Sequence, residues 1–172
     1  MEERLKKAIR SIPDFPKKGI LFRDISTLLK DHAAFADAVN ALVARHKNKG
    51  IGKIVGIESR GFILGAPMAY LLGAGFVPVR KKGKLPAETY NVTYELEYGT
   101  DHLEIHKDAI EPGENVLIVD DLLATGGTAA ATIELVKKCD ANIAEIDFLI
   151  ELTDLNGREK LKDHDVFVLV QY

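Results

Sequence analysis

The chain has 172 residues, 47% hydrophobic and 28% charged, and its 23 basic and 26 acidic residues leave a net charge of −3. That length suits one domain, residues 1–172, with a buried sheet covered by helices on both faces. The charge implies no general polyanion-binding surface, so an anionic ligand needs local basic clusters. No apolar run reaches membrane length, no charged-then-apolar leader is seen, and the lone Cys139 excludes an internal disulfide framework. A cytoplasmic protein without nucleic-acid or membrane partners is expected.

In chain order, Met1 to Arg10 carries an amphipathic helical pattern, Pro13 to Gly19 is punctuated by proline and glycine, and a helix around Ala33 to Lys47 stops at Gly50. Lys53 to Ile57 is the first core strand, followed by a helix from Gly61 to Leu72 and a second strand from Gly75 to Val79. Residues 81–89, with Gly83 and Pro86 among charges, read as an exposed loop. From Tyr90 to Tyr98 apolar and polar residues alternate strictly, which predicts a half-buried strand, and Gly99-Thr100 turns it into a partner, Leu103 to His106. Val116 to Val119 is continuously apolar, as expected where a parallel sheet is covered on both faces, and Thr128 opens a helix to Lys138. Glu145 to Ile150 and Val166 to Val170 supply two more strands, with a short helical segment around Gly157 to Lys162 between them. The order is α/β: a mostly parallel central sheet flanked by helices, with an inserted hairpin. Cys139 reads as a buried structural thiol. The histidines at 32, 46, 102, 106 and 164 show no metal-ligand spacing joined to other ligands, and His102 and His106 read as surface residues.

The most informative stretch is VLIVDDLLATGGT, Val116 to Thr128. Parallel sheets bind ligands beyond the carboxyl ends of their strands, which is where Asp120 and Asp121 arrive. Carboxylates repel phosphate but accept from hydroxyls, so the pair suits a ribose diol, directly or through Mg²⁺. The amides of residues 124–128, freed by Gly126 and Gly127 and joined by the hydroxyls of Thr125 and Thr128 at a positive helix end, suit a phosphate dianion. Together they fit a ribose 5-phosphate. The plainer alternative, a turn and helix cap, explains one aspartate but not two followed by Thr-Gly-Gly-Thr. A P-loop is a poor fit, because no Gly-Lys-Ser/Thr follows.

Three further clusters bear on the ligand. Glu58-Ser59-Arg60-Gly61 ends the first core strand, beside the acidic pair, and a guanidinium there suits a pyrophosphate. Arg80-Lys81-Lys82-Gly83-Lys84 is a basic run that in a net-negative chain looks like a pyrophosphate clamp, although such runs are often solvated faces. The loop behind it could close and exclude water. Phe15-Pro16-Lys17-Lys18-Gly19-Ile20-Leu21-Phe22-Arg23-Asp24-Ile25 is a stiff apolar segment in which Phe22 could stack a flat base or simply pack into a core.

The Val116–Thr128 stretch resembles the PRPP-binding motif of the type I phosphoribosyltransferases. The Phe15–Ile25 segment, Glu58-Ser59-Arg60-Gly61-Phe62, Gly83-Lys84-Leu85-Pro86, Leu96-Glu97-Tyr98-Gly99 and Gly157-Arg158-Glu159-Lys160-Leu161 extend the likeness to the adenine-specific members of that family, over essentially the whole chain. The resemblance implies the family fold, with a small hood over residues 1–30 and a flexible loop and hairpin over 81–106. It implies transfer of the 5-phosphoribosyl group of PRPP to adenine, giving AMP and pyrophosphate, with Mg²⁺ and a homodimer in which Arg80 or Lys81 reaches the neighbouring site. It assigns PRPP to Ser59, Arg60, Arg80, Lys81, Lys84, Asp120, Asp121, Ala124, Thr125, Gly126, Gly127 and Thr128, with Asp120 and Asp121 serving the metal. Adenine falls to Leu21, Phe22, Arg23 and Glu97, and catalysis to Glu97, Asp121 and Arg60. Enzymes for 6-oxopurines usually carry an aspartate where this chain has Ala124, which shifts the chemistry at the base to Glu97. Glu58 departs from the aspartate frequent at its position. The rival readings are a transferase for another base such as xanthine, and a PRPP-sensing regulator, which would need a nucleic-acid surface that this sequence does not show.

Overall fold

A computed structural model of the chain describes residues 1–95 and 99–172. Glu2–Ala8 forms α1, and Arg10–Pro13 (β1) pairs antiparallel with Leu21–Asp24 (β2) in a separate two-stranded ribbon. That ribbon is a correction to the sequence reading, which sees only Pro and Gly there; the turn between its strands uses Asp14 at φ 56° and Gly19 at φ 89°. Ser26–Leu29 (α2) and His32–His46 (α3) follow. Asp31 caps α3 by accepting from the Ala33 and Ala34 N–H groups at 2.9 and 3.0 Å.

The main sheet takes Lys53–Ile57 (β3), Gly75–Lys81 (β4), Thr89–Glu95 (β5), Thr100–His106 (β6), Asn115–Leu123 (β7), Asn142–Glu151 (β8) and Val166–Gln171 (β9). Arg60–Leu72 (α4) links β3 to β4, Gly127–Lys138 (α5) links β7 to β8, and two 3₁₀ turns, Thr153–Leu155 and Gly157–Leu161, precede β9. The strand order is β5-β6-β4-β3-β7-β8-β9, parallel from β4 to β9 with the β5–β6 hairpin antiparallel at one edge.

The apolar strands are explained by their two covered faces. Val55, Ile57, Val116 and Ile118 bury against α5, while Ile54, Leu117 and Val119 bury against α3 and α4 through Leu42, Leu64 and Met68. Truncating Leu64 or Met68 to alanine would cost about 2–5 kcal/mol. Cys139 is buried, as expected. From β3 the chain moves one way to β4, and it later returns on the other side as β7. The loops after β3 and β7 therefore diverge and open a crevice at this switch point.

Two boundaries differ from the sequence reading in ways that matter. Strand β7 does not stop at Val119: β3 leaves it there, but β8 stays paired through Leu123, so the acidic pair projects from a strand with one free edge. Arg80 and Lys81 are not loop residues, because they pair with Glu104 and Leu103 of β6. His102 and His106 are half-buried rather than surface residues, His102 through a 2.8 Å contact between its Nδ1 and Thr93 Oγ1. No helix among the described residues is long and apolar enough to cross a membrane.

Candidate active site

The crevice holds a cavity of about 410 Å³ lined by Glu58, Ser59, Arg60, Lys81, Tyr94, Asp101, Leu103, Asp120, Asp121, Leu122, Ala124 and Thr128. Seven predicted PRPP residues, Ser59, Arg60, Lys81, Asp120, Asp121, Ala124 and Thr128, thus meet in this lining. A smaller recess of about 70 Å³ continues from it between Asp120 and the turn 122–129, taking in Thr125, Gly126 and Gly127.

The recess is shaped by backbone. Gly126 caps α5 at φ 79°, a conformation that L side chains rarely adopt, and a Cβ there would lie 2.5 Å from the Gly157 carbonyl oxygen. A Cβ on Gly157 would in turn overlap the Ala124 carbonyl. The two glycines let two turns from distant parts of the chain touch backbone to backbone, which fixes the amides at the start of α5. The Tyr94 ring and the Glu95 carbonyl also close on Gly127. Burial raises the Tyr94 phenol above its usual range, partly offset by the Thr128 hydroxyl beside it.

At the opposite end the cations are already engaged. Arg60 Nε donates to Asp121 Oδ2 at 2.5 Å, and Lys81 Nζ lies 3.0 Å from Asp101 Oδ2. Glu58 accepts from Lys84 Nζ at 2.8 Å, from the Lys81 N–H at 2.9 Å and from Arg80 Nε at 3.3 Å. Burial alone would raise the Glu58 carboxyl, but these three donors hold it at about 2. The buried Glu104 accepts from the Gly83 N–H at 3.0 Å and pins the turn that begins the loop. Arg80 and Lys84 thus reach Glu58 rather than the cavity wall, whereas Lys81 lines it.

Asp120 stands between the two ends. Burial first, then the neighbouring Asp121 charge, pushes its carboxyl well above the ordinary aspartate range. A carboxylate so placed is favoured by any partner that donates a proton, a hydroxyl or a hard cation. Both carboxylates line the cavity, and paired hard oxygen donors are of the kind that Mg²⁺ takes.

The hood residues are not brought to this cavity. Leu21 is exposed, and Phe22 packs edge-on to Phe15 with ring centroids 5.2 Å apart. The Arg23 guanidinium stacks 3.7 Å from the Tyr172 ring and donates to Ser11 Oγ. Glu97 lies outside the described residues. The sequence reading missed Asp101, which a turn-adjacent aspartate does not advertise, and Tyr94, whose place in an alternating strand signals only packing.

A second cluster involves one of the histidines. His46 is buried at the end of α3, its Nε2 2.6 Å from Asp147 Oδ2 and 3.6 Å from Glu145 Oε2. Among the described residues these three form the one His and carboxylate group close enough for a metal. Arg45 already spans both Glu145 oxygens, so the cluster reads as a network of hydrogen bonds and one Arg–Glu ion pair tying α3 to β8.

A doubly wound sheet with an acidic pair, a glycine turn at a helix start and a basic cluster at its switch point has the make-up of a site for a hydroxylated, anionic ligand. Comparison with known proteins agrees. The phosphoribosyl transferase domain model matches residues 26–171. The adenine phosphoribosyltransferase of Halothermothrix orenii is 59% identical over 167 residues, covering 97% of this chain and 98% of that one. The solved adenine phosphoribosyltransferase of Thermoanaerobacter pseudethanolicus superposes with a TM-score of 0.96 at 53% identity over 100% of both chains. That of Saccharomyces cerevisiae, complexed with D-2,5-dideoxy-2,5-imino-altritol 1,6-bisphosphate and adenine, gives 0.94 at 47% identity over 98% of this chain and 97% of that one. The chain belongs to the phosphoribosyltransferase family, among its adenine phosphoribosyltransferases.

Proposed function

We propose that this enzyme transfers the 5-phosphoribosyl group of PRPP to N9 of adenine, giving AMP and pyrophosphate. The observation that carries this reading is the convergence, at one switch point, of the cradle 124–128, the Asp120–Asp121 pair and the Ser59–Arg60–Lys81 pole. These three match the phosphate, the ribose diol and the diphosphate of one substrate in order. The yeast relative, complexed with adenine and a bisphosphate, supports the same pair of ligand classes.

In this assignment the amides of 124–128 and the hydroxyls of Thr125 and Thr128 hold the 5-phosphate, and Asp120 and Asp121 accept from the ribose hydroxyls. Arg60 and Lys81 attract the diphosphate, with Arg80 and Lys84 available once Glu58 releases them. The C1–oxygen bond breaks, the electron pair leaves with pyrophosphate, and positive charge developing at the sugar is stabilised by the acidic pair. Asp120 and Asp121 would hold Mg²⁺, directly or through water, and when bound the ion neutralises charge on the departing diphosphate. As N9 bonds to C1 its proton passes to a base, a role we give to Glu97. Leu21, Phe22 and Arg23 would frame adenine after the ribbon moves toward the cavity, and the small neutral Ala124 leaves room where an oxopurine enzyme carries an acid.

We further assign a homodimer. Ile63, Ala66 and Tyr70 form an exposed stripe along the outer face of α4, and Tyr70 is 85% exposed. A single domain over residues 1–172 agrees with the packing of Leu5, Leu28 and Leu42 from the first fifty residues onto Leu117 and Val119 of the main sheet, and a cytoplasmic location agrees with a free, buried Cys139. The test is a PRPP-dependent assay in which adenine, hypoxanthine, guanine and xanthine compete at equal concentration. Formation of AMP and pyrophosphate in equal amounts, ahead of every other nucleotide, is expected. Preference for an oxopurine would overturn the assignment.

A further inference from the structure

We infer that Lys160 is a binding residue for the 5-phosphate, a role that rests on the placement of that group over residues 124–128. The segment Gly157–Leu161 is a rigid platform. Leu161 is buried, Arg158 donates to both Glu151 carboxylate oxygens at 2.7 and 3.0 Å, and the Arg158 guanidinium also reaches the Val166 carbonyl at 3.1 Å. The platform lies directly against the cradle through the Gly126–Gly157 approach, so its geometry is tied to the phosphate amides. One turn further on, the Lys160 ammonium sits 4.0 Å from where a Cβ of Gly127 would stand, at the first residue of α5.

The charge at that point is unmatched. Arg60, Lys81, Lys84 and Arg158 are each paired with a carboxylate, whereas Lys160 makes no hydrogen bond or ion pair among the described residues. It is exposed and flexible, with three donors on a long stem. The recess whose lining includes Gly127 contains a single carboxylate, Asp120. A phosphate dianion seated on the amides presents its outer oxygens to solvent, and Lys160 is placed to meet them. Both the dipole of α5 and a mobile ammonium then act on the same dianion.

The test measures the affinity of Lys160→Gln for ribose 5-phosphate, AMP, adenosine and pyrophosphate by calorimetry. Ribose 5-phosphate and AMP should each bind about tenfold more weakly, the scale of one charge-assisted hydrogen bond facing water. Adenosine and pyrophosphate should bind as before, and Lys160→Arg should restore the loss. Unchanged affinity for ribose 5-phosphate, or an equal loss for pyrophosphate, would overturn the assignment of Lys160. Failure of the unmodified enzyme to bind ribose 5-phosphate would instead overturn the placement of the phosphate, and this role with it.

Discussion

At the end of the crevice assigned above to the phosphate, position is set by main chain: two glycines from turns about thirty residues apart in sequence touch, and the amides at the start of α5 are held before any ligand arrives. At the end assigned to the diphosphate, position is set by charge. Arg60 sits on Asp121, Lys81 on Asp101, and Arg80 and Lys84 on Glu58. Under the proposed assignment the first end binds with little reorganisation, whereas the second must exchange internal ion pairs for those to a ligand. Substitutions at the cradle should therefore only weaken binding. Substitutions among the acids of the basic pole can strengthen it.

The largest effect is expected at the cradle. Gly157→Ala forces a methyl group onto the Ala124 carbonyl and displaces the amides, and kcat/KM for PRPP should fall by roughly a hundredfold, the scale of a misplacement near 1 Å. A variant that kept its activity would break the contrast. His46→Ala is the remote control. It leaves Asp147 buried without its hydrogen-bond partner and should cost about 1–3 kcal/mol in denaturant unfolding, with kcat/KM kept well below the melting range.

Acid titration separates the two kinds of carboxyl. Glu58 is held at about 2 against 4.5 when unfolded, so its contribution is present above pH 4.5 and is lost as pH falls toward 2. Glu58→Gln should remove that acid limb and lower stability at neutral pH by about 2 kcal/mol, the full conversion of the shift, about 3.4 kcal/mol, being reduced by solvent screening of its lysine and arginine partners. Asp120 has the opposite sign. Its raised folded value favours the protein below pH 3.8 and costs stability as pH rises through the folded value, so Asp120→Asn should raise the thermal midpoint at neutral pH while weakening PRPP binding. The smallest effect is at Asp101, whose pair with Lys81 is partly exposed. Asp101→Asn should tighten pyrophosphate binding about two- to fivefold, measured by calorimetry, and weaker binding would reverse the argument for that end.

The difference between the ends also governs what could be read from the chain alone. The cradle and the acidic pair were legible because the strand, the carboxylates, the glycines and the helix start are contiguous, and each residue type carries its own reason to be there. The basic pole was legible as composition only. That Lys81 meets Asp101 depends on the β4–β6 pairing, and that Arg60 meets Asp121 depends on β3 lying beside β7, contacts that join residues 20 and 61 positions apart. The Gly126–Gly157 approach and the His46–Asp147 pair are hidden for the same reason, the latter spanning 101 positions. The β1–β2 ribbon was hidden by its own turn residues, since Pro13, Pro16 and Gly19 signal a loop whether or not short strands flank them.

A crystal structure of the enzyme with AMP and pyrophosphate tests the central assignment most directly. It should show the 5-phosphate on the amides of 124–128, the ribose hydroxyls on Asp120 and Asp121, and the pyrophosphate beside Arg60 with Lys81 turned from Asp101 toward it. A nucleotide bound in the reverse sense, with its phosphate among Arg60 and Lys81 and its base over the Thr125–Thr128 turn, would contradict the account.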